Sequence, residues 1–135
     1  MRIFIDSNII VSAVLFPKSV VSKVLNYVMQ NHQMILSQYA LYELEKVFLK
    51  KFPDNWSDLE RFLRQARYEV IDLKNFNLAK YPAMRDQNDM PILASAIEAG
   101  ADILLTGDKD FKEVKIKTPL IVTPAEFVKK YMESL

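Results

Sequence analysis

Short uninterrupted apolar runs alternate along the chain with segments whose apolar residues recur every three or four positions. Ile3-Phe4-Ile5, Met34-Ile35-Leu36, Val70-Ile71, Ile103-Leu104-Leu105 and Leu120-Ile121-Val122 read as strands buried on both faces, because none alternates polar with apolar. Between them the spacing predicts helices. One runs from Asn8 to about Leu15 and is stopped by Pro17; a second carries Val20, Val21, Val24, Leu25 and Val28. Ser37 is placed to cap a third, whose stripe is Leu41, Leu44, Val47 and Phe48. Pro53-Asp54-Asn55 breaks the chain before a helix around Leu59 to Arg67.

Residues 72–88 form a long polar connection rich in Asn and Lys. A helix from Met90 then repeats at Leu93, Ala94 and Ile97, Gly100 supplies its left-handed stop, and Pro124 opens a terminal helix. There is no internal repeat, low-complexity tract or linker, so residues 1–135 are expected to form one domain. Strands separated by helices pair in parallel through crossovers. The expected fold class is therefore α/β: a three-layer sandwich with a central parallel sheet of about five strands flanked by helices.

Composition narrows the chemistry. The 18 Lys and Arg residues nearly balance the 17 Asp and Glu, leaving a formal charge of +1. Bulk charge therefore cannot hold the chain to nucleic acid, and any such contact needs a local patch or a metal placed by acids. With no cysteine and only His32, disulfides, thiolate zinc and histidine-rich metal sites are excluded. A bound metal would have oxygen ligands, which favours Mg²⁺ or Mn²⁺. The N-terminal apolar run is too short for a signal-peptide core, and no run approaches the roughly 20 residues of a membrane span. A cytoplasmic protein without membrane contact is expected.

Acidic residues sit where open α/β sheets bind ligands, beyond the carboxyl ends of strands. Asp6 follows the first strand, and Asp108 follows the fourth through Thr106 and Gly107. Asp89 opens the helix leading into that fourth strand, although spacing leaves open which end of the sheet it meets. Glu43, in the third helix, has a phase between core and solvent. Carboxylates brought together repel one another unless a divalent cation reverses the penalty, and such a cation can activate water against a phosphodiester. Each acid also has an ordinary use. Asp6-Ser7-Asn8 and Asp89 fit helix caps, Glu43 fits a solvated position paired with Lys46, and Asp108 and Asp110 fit a turn. The chain has only Gly100 and Gly107, which counts against a glycine-rich phosphate loop.

These segments together resemble a PIN-domain ribonuclease of the kind that acts as toxin in bacterial and archaeal toxin–antitoxin pairs. Ile3 to Asn8 resembles the family's strand ending in Asp-Thr/Ser-Asn, and Ser37 to Val47 its segment with a second acid. Asp89 to Ala96 with Gly100-Ala101-Asp102 resembles the third-acid helix, and Thr106 to Phe111 the closing Thr-x-Asp-x-Asp-Phe signature. The match runs in order over nearly the whole chain.

The resemblance implies Mg²⁺ or Mn²⁺ held by Asp6, Glu43, Asp89 and Asp108, and hydrolysis of single-stranded or structured RNA. It implies orienting roles for Asn8 and Thr106 and metal support from Asp110. The third acid is either or both of Asp86 and Asp89, with Asp89 preferred because Ala94 and Ala96 then fall on the family's alanine-rich face. A small antitoxin protein is the implied partner. Alternatives are an RNA-processing nuclease without antitoxin, or a non-catalytic module that binds RNA or protein.

Basic residues Lys46, Lys50 and Lys51, then Arg61, Arg64 and Arg67, suit either phosphate contact or a solvated face. The same helices carry Phe48, Phe52, Trp56, Leu59 and Phe62, read here as excess exposed apolar surface and hence a homodimer face.

Overall fold

The computed structural model describes residues 1–75 and 77–133. The strands β1 (Arg2–Ile5), β2 (Gln33–Ser37), β3 (Glu69–Ile71), β4 (Ile103–Leu105) and β5 (Leu120–Val122) form one sheet. The order is β3-β2-β1-β4-β5 and every pairing is parallel. The apolar runs predict this arrangement, and alternation of side chains explains why both faces are covered. Ile3, Ile5, Met34, Leu36, Ile103 and Leu105 point into one layer, while Phe4, Ile35 and Leu104 point into the other.

The first layer holds α1 (Ser7–Leu15), α2 (Val20–Asn31), α3 (Gln38–Lys51), α4 (Trp56–Gln65) and α7 (Pro124–Phe127). The second holds α5 (Met90–Glu98) and α6 (Lys109–Lys112). The Ser37 hydroxyl caps α3 by accepting from the Ala40 N–H at 2.8 Å. Gly100 closes α5 at φ +65°, a left-handed conformation that costs a side chain about 1 kcal/mol or more.

Local differences from the sequence reading have local causes. α4 starts at Trp56 because Pro53–Asn55 forms a 3₁₀ turn that feeds directly into the helix, and Arg67 lies beyond its end. The connection 72–88 contains two further 3₁₀ turns, Leu78–Lys80 and Gln87–Asp89, and buries Tyr81 against Met90 and Ala94. Val70 and Leu120 belong to the two outermost strands and are exposed, since an edge strand is covered less completely than β1 or β4. No single helix among the described residues is long and apolar enough to cross a membrane.

One expectation is overturned. Phe48 and Leu59 are fully buried, and Phe52, Trp56 and Phe62 pack partly buried against the same core. Phe48 and Phe52 meet edge to face, with centroids 5.9 Å apart. The chain is large enough to absorb them because α3 and α4 pack against α1, so these aromatics belong to the core and carry no argument for a dimer. Phe48→Ala is expected to cost about 3–5 kcal/mol of folding stability, read by urea denaturation. A change under about 1 kcal/mol would place Phe48 outside the core.

Candidate metal centre

From β1 the chain runs outward to β2 and β3, then returns to β4 on the opposite side of β1. This reversal opens a crevice at the carboxyl ends of β1 and β4, the ordinary ligand site of open α/β sheets. Asp6 and Thr106 lie side by side there. The Asp6 N–H continues the sheet by donating to the Leu105 carbonyl at 3.0 Å. The Thr106 hydroxyl donates to Asp6 Oδ2 at 2.7 Å and accepts from the Asp108 N–H at 3.0 Å. Thr106 thus ties the acid after β1 to the backbone that carries the acid after β4, and both Asp6 and Thr106 are buried.

Asp6 occupies the N-cap position of α1, yet its side chain makes no cap hydrogen bond. Burial raises its pKa most; the Thr106 hydrogen bond and the nearby N–H groups of Asn8 and Ser7 lower it, while Asp108 adds repulsion. Asp89 has the same character at the start of α5: an N-cap position, no side-chain cap, and a buried Oδ2 without any hydrogen-bond partner. Burial and then repulsion from Asp108, Asp86, Asp6 and Asp110 push Asp89 up to about 6. Asp108 differs, because its Oδ1 accepts from the Asp110 N–H at 2.9 Å and caps α6. Asp86 is exposed and caps the turn before α5 by accepting from the Asn88 N–H at 2.9 Å.

Carboxylate oxygens of Asp89, Asp108 and Asp110 lie within 4.8 Å of one another. Ligands about 2.1 Å from an Mg²⁺ sit up to about 4 Å apart, so this spacing is close to one coordination sphere. Asp6 and Glu43 stand outside that tight group but feel it. Glu43 is half-buried and is pushed up to about 7 by burial, then by Asp6 and Asp89. The Ser7 hydroxyl and Lys46 favour its ionised form, though no Glu43–Lys46 ion pair is formed within 4 Å among the described residues. A shared field of six carboxylates, one with an orphaned buried oxygen, is costly for a fold and is relieved by a divalent cation. The residues present fit such an ion: all-oxygen donors, close spacing and a buried, unpartnered carboxylate oxygen on Asp89.

The remaining sequence candidates fall unevenly. Asn8 is exposed, and its side chain makes no hydrogen bond to the acids. Lys46 lines a groove beside Glu43, whereas Arg61 pairs with Asp58 at 3.6 Å in a groove between α1, α2 and α4. Three residues at the site escaped the sequence reading. Ser7 is buried beside Glu43, Arg85 pairs with Asp110 at 3.9 Å, and Tyr39 lies in the field of Glu43, Asp89 and Asp86. Tyr39 was legible in principle, since it precedes Glu43 by one helical turn.

A variant isolates the role of Thr106. Thr106→Val keeps the shape but strips the buried Asp6 carboxylate of its donor, so stability at pH 7 should fall by about 1–3 kcal/mol. Metal affinity should fall about 10- to 100-fold, because Asp6 and Asp108 lose their common anchor. Denaturation and Mn²⁺ titration check the two parts, and wild-type affinity in Thr106→Val would show that the anchor is dispensable.

The PIN domain family model matches residues 2–110, and the chain belongs to that family. Among curated proteins none matches the sequence significantly. Solved structures with the same fold include VapBC2 from Rickettsia felis bound to a DNA fragment from its promoter. That match has 24% identity, a TM-score of 0.70, and coverage of 91% of this chain and 98% of the other. VapBC-1 from nontypeable Haemophilus influenzae is similar at 18% identity and a TM-score of 0.64, covering 93% and 99%. DNA-bound VapBC from Salmonella typhimurium gives 18% identity and a TM-score of 0.61, covering 92% and 98%.

Proposed function

We propose that this protein is a metal-dependent endoribonuclease, the toxin of a cytoplasmic toxin–antitoxin pair. The observation that carries the reading is the acid cluster at the carboxyl ends of β1 and β4, with Asp89 Oδ2 buried and unpartnered. Asp89, Asp108 and Asp110 would hold Mg²⁺ or Mn²⁺, with Asp6 and Glu43 adding negative charge beside them. An ion held there would supply an activated water and would screen the charge of the phosphodiester. The chain's own contribution is placement. Thr106 fixes Asp6 against the Asp108 backbone, and Arg85 tempers the charge of Asp110. No nucleophilic side chain is needed, in keeping with a sequence that has no cysteine.

Membership of the PIN family supports the nuclease reading, and the fold shared with VapBC complexes supports an antitoxin partner. A homodimer is checked separately, by light scattering across the micromolar range. The test of function is incubation of purified protein with several single-stranded RNAs in Mg²⁺, Mn²⁺ or EDTA. Cleavage with either ion and none in EDTA is expected. Intact RNA under every ion condition would overturn the ribonuclease, and the absence of a co-purifying product of an adjacent short gene would remove the antitoxin.

A further inference from the structure

α3 buries Ala40, Leu44 and Phe48 completely, while Tyr39, Tyr42, Lys46 and Leu49 recur every three or four residues on another face. On that face Tyr39 is 40%, Tyr42 58% and Leu49 56% exposed. Large side chains so exposed contribute little to the core. The two tyrosines form a ridge between two grooves. One, of about 420 Å³, runs along Glu43, Lys46 and Leu49; the other, of about 290 Å³, reaches Ile71, Lys74 and Pro91. The ridge adjoins the acid cluster: Glu43 lines the first groove together with both tyrosines, and Pro91, two residues after Asp89, lines the second.

We propose that Tyr39 and Tyr42 form a base-stacking platform that seats single-stranded RNA beside the acid cluster, with Lys46 and Lys74 meeting its phosphates. This rests on the ribonuclease reading above and names the form of its substrate. Exposed phenol rings offer flat faces to unpaired bases, and stacking of that kind tolerates any base. A duplex already satisfies its bases by stacking and pairing, so it gains nothing from the ridge. Two lysines bracket the rings. Lys46 has no ion pair among the described residues, and Lys74 has only an exposed contact to Asp72 at 3.9 Å, weak enough to exchange for a phosphate. Glu45 and Asp72 also line the grooves, so the surface is not uniformly basic, and unpaired bases rather than charge supply the preference.

Binding is measured by fluorescence anisotropy in Mg²⁺ with Asp108→Asn as parent, which removes cleavage from the reading. The probes are a fluorescein-labelled RNA of about 12 nucleotides and mixed sequence, its duplex, and an abasic sugar–phosphate oligomer of equal length. The parent is expected to prefer the single strand over the duplex and the abasic oligomer. Tyr39→Ala and Tyr42→Ala should each weaken single-strand affinity about 10-fold and leave the abasic oligomer unchanged. Tyr39→Phe and Tyr42→Phe should retain binding, because the ring stacks and the hydroxyl does not. Lys46→Ala should weaken all three probes and lower the salt dependence by about one phosphate contact.

Unchanged single-strand affinity in both alanine variants, with parent binding intact, overturns the platform and leaves the nuclease standing. If those variants also lose a dimer in light scattering, the face belongs to a second copy of the chain. A parent that binds none of the probes overturns the RNA reading, and the platform falls with it.

Discussion

Asp89→Asn is expected to reduce metal-dependent RNA cleavage by about 100-fold or more, while the metal-free protein becomes more stable. Asp89 does no structural work that Asn would lose. It stands at the N-cap of α5 without capping it, and its Oδ2 has no hydrogen-bond partner. What it carries is charge, held against repulsion from Asp108, Asp86, Asp6 and Asp110. Asn removes that repulsion and keeps the volume, so the melting temperature without metal should rise. It also removes one ionised oxygen from a group whose ligand atoms lie within 4.8 Å, and loss of one such electrostatic element costs about 10²- to 10³-fold in rate. Opposite signs in the two measurements distinguish a binding residue from a packing residue, which would lose both. Wild-type cleavage by Asp89→Asn, or a lower melting temperature, would count against the proposed centre.

The second large effect is a metal-induced stabilisation that grows with pH. In the metal-free protein Glu43 titrates at about 7 and Asp89 at about 6, against unperturbed values of 4.5 and 3.8. Raised folded pKa values mean that protonation favours the native state. The stability they contribute is fully present below about pH 4 and is lost as pH rises through 6 and 7. Metal-free protein should therefore melt lower at pH 8 than at pH 5.

His32 acts the other way in part of this window. Burial and the nearby N-terminal charge lower its pKa, so its contribution is present at neutral pH and falls on acidification. The acid cluster is isolated by Glu43→Gln. Because Glu43 is half-exposed and screened, that change should raise metal-free stability by only about 1 kcal/mol at pH 8, and not at pH 5. A divalent ion binds the ionised native site and stabilises it by RT ln(1 + [L]/Kd), about 2.7 kcal/mol at 100 times Kd. For a chain of this size that raises melting by several degrees. The shift with Mn²⁺ should be larger at pH 7.5 than at pH 5, since protonated carboxylates bind metal poorly. Equal shifts at both pH values, or an unchanged shift in Asp89→Asn, would dissociate these acids from metal binding.

Much of the architecture is carried by features a few residues long. Ile3-Phe4-Ile5 and Ile103-Leu104-Leu105 are apolar at every position because both faces of β1 and β4 are covered. Ser37 before a helical stripe marks a cap, and Gly100 after one marks a left-handed stop, since both depend on local backbone chemistry. Asp6 and Asp108 are legible as candidates from position alone: Asp6 directly follows β1, and Asp108 follows β4 after Thr106 and Gly107. Glu43 read as intermediate between core and solvent from its helical phase, and it is half-buried.

Tertiary structure decided what those positions mean to one another. Nothing local places β1 beside β4 rather than beside β5, yet that pairing sets Thr106 against Asp6 across a hundred residues of sequence. Whether an acid at a helix start caps the backbone or turns inward is also a long-range matter. Asp108 caps its helix, whereas Asp89 leaves an oxygen unpartnered among other acids, and their sequence contexts give no sign of the difference. Apolar character alone does not say whether a neighbouring helix will cover the aromatics of α3 and α4; here α1 does. The chain by itself determined which residues were available and in what order along the parallel strands. Strand order and helix packing, set by non-local contacts, determined that Asp89, Asp108 and Asp110 share one small volume with Asp6 and Glu43 at its rim.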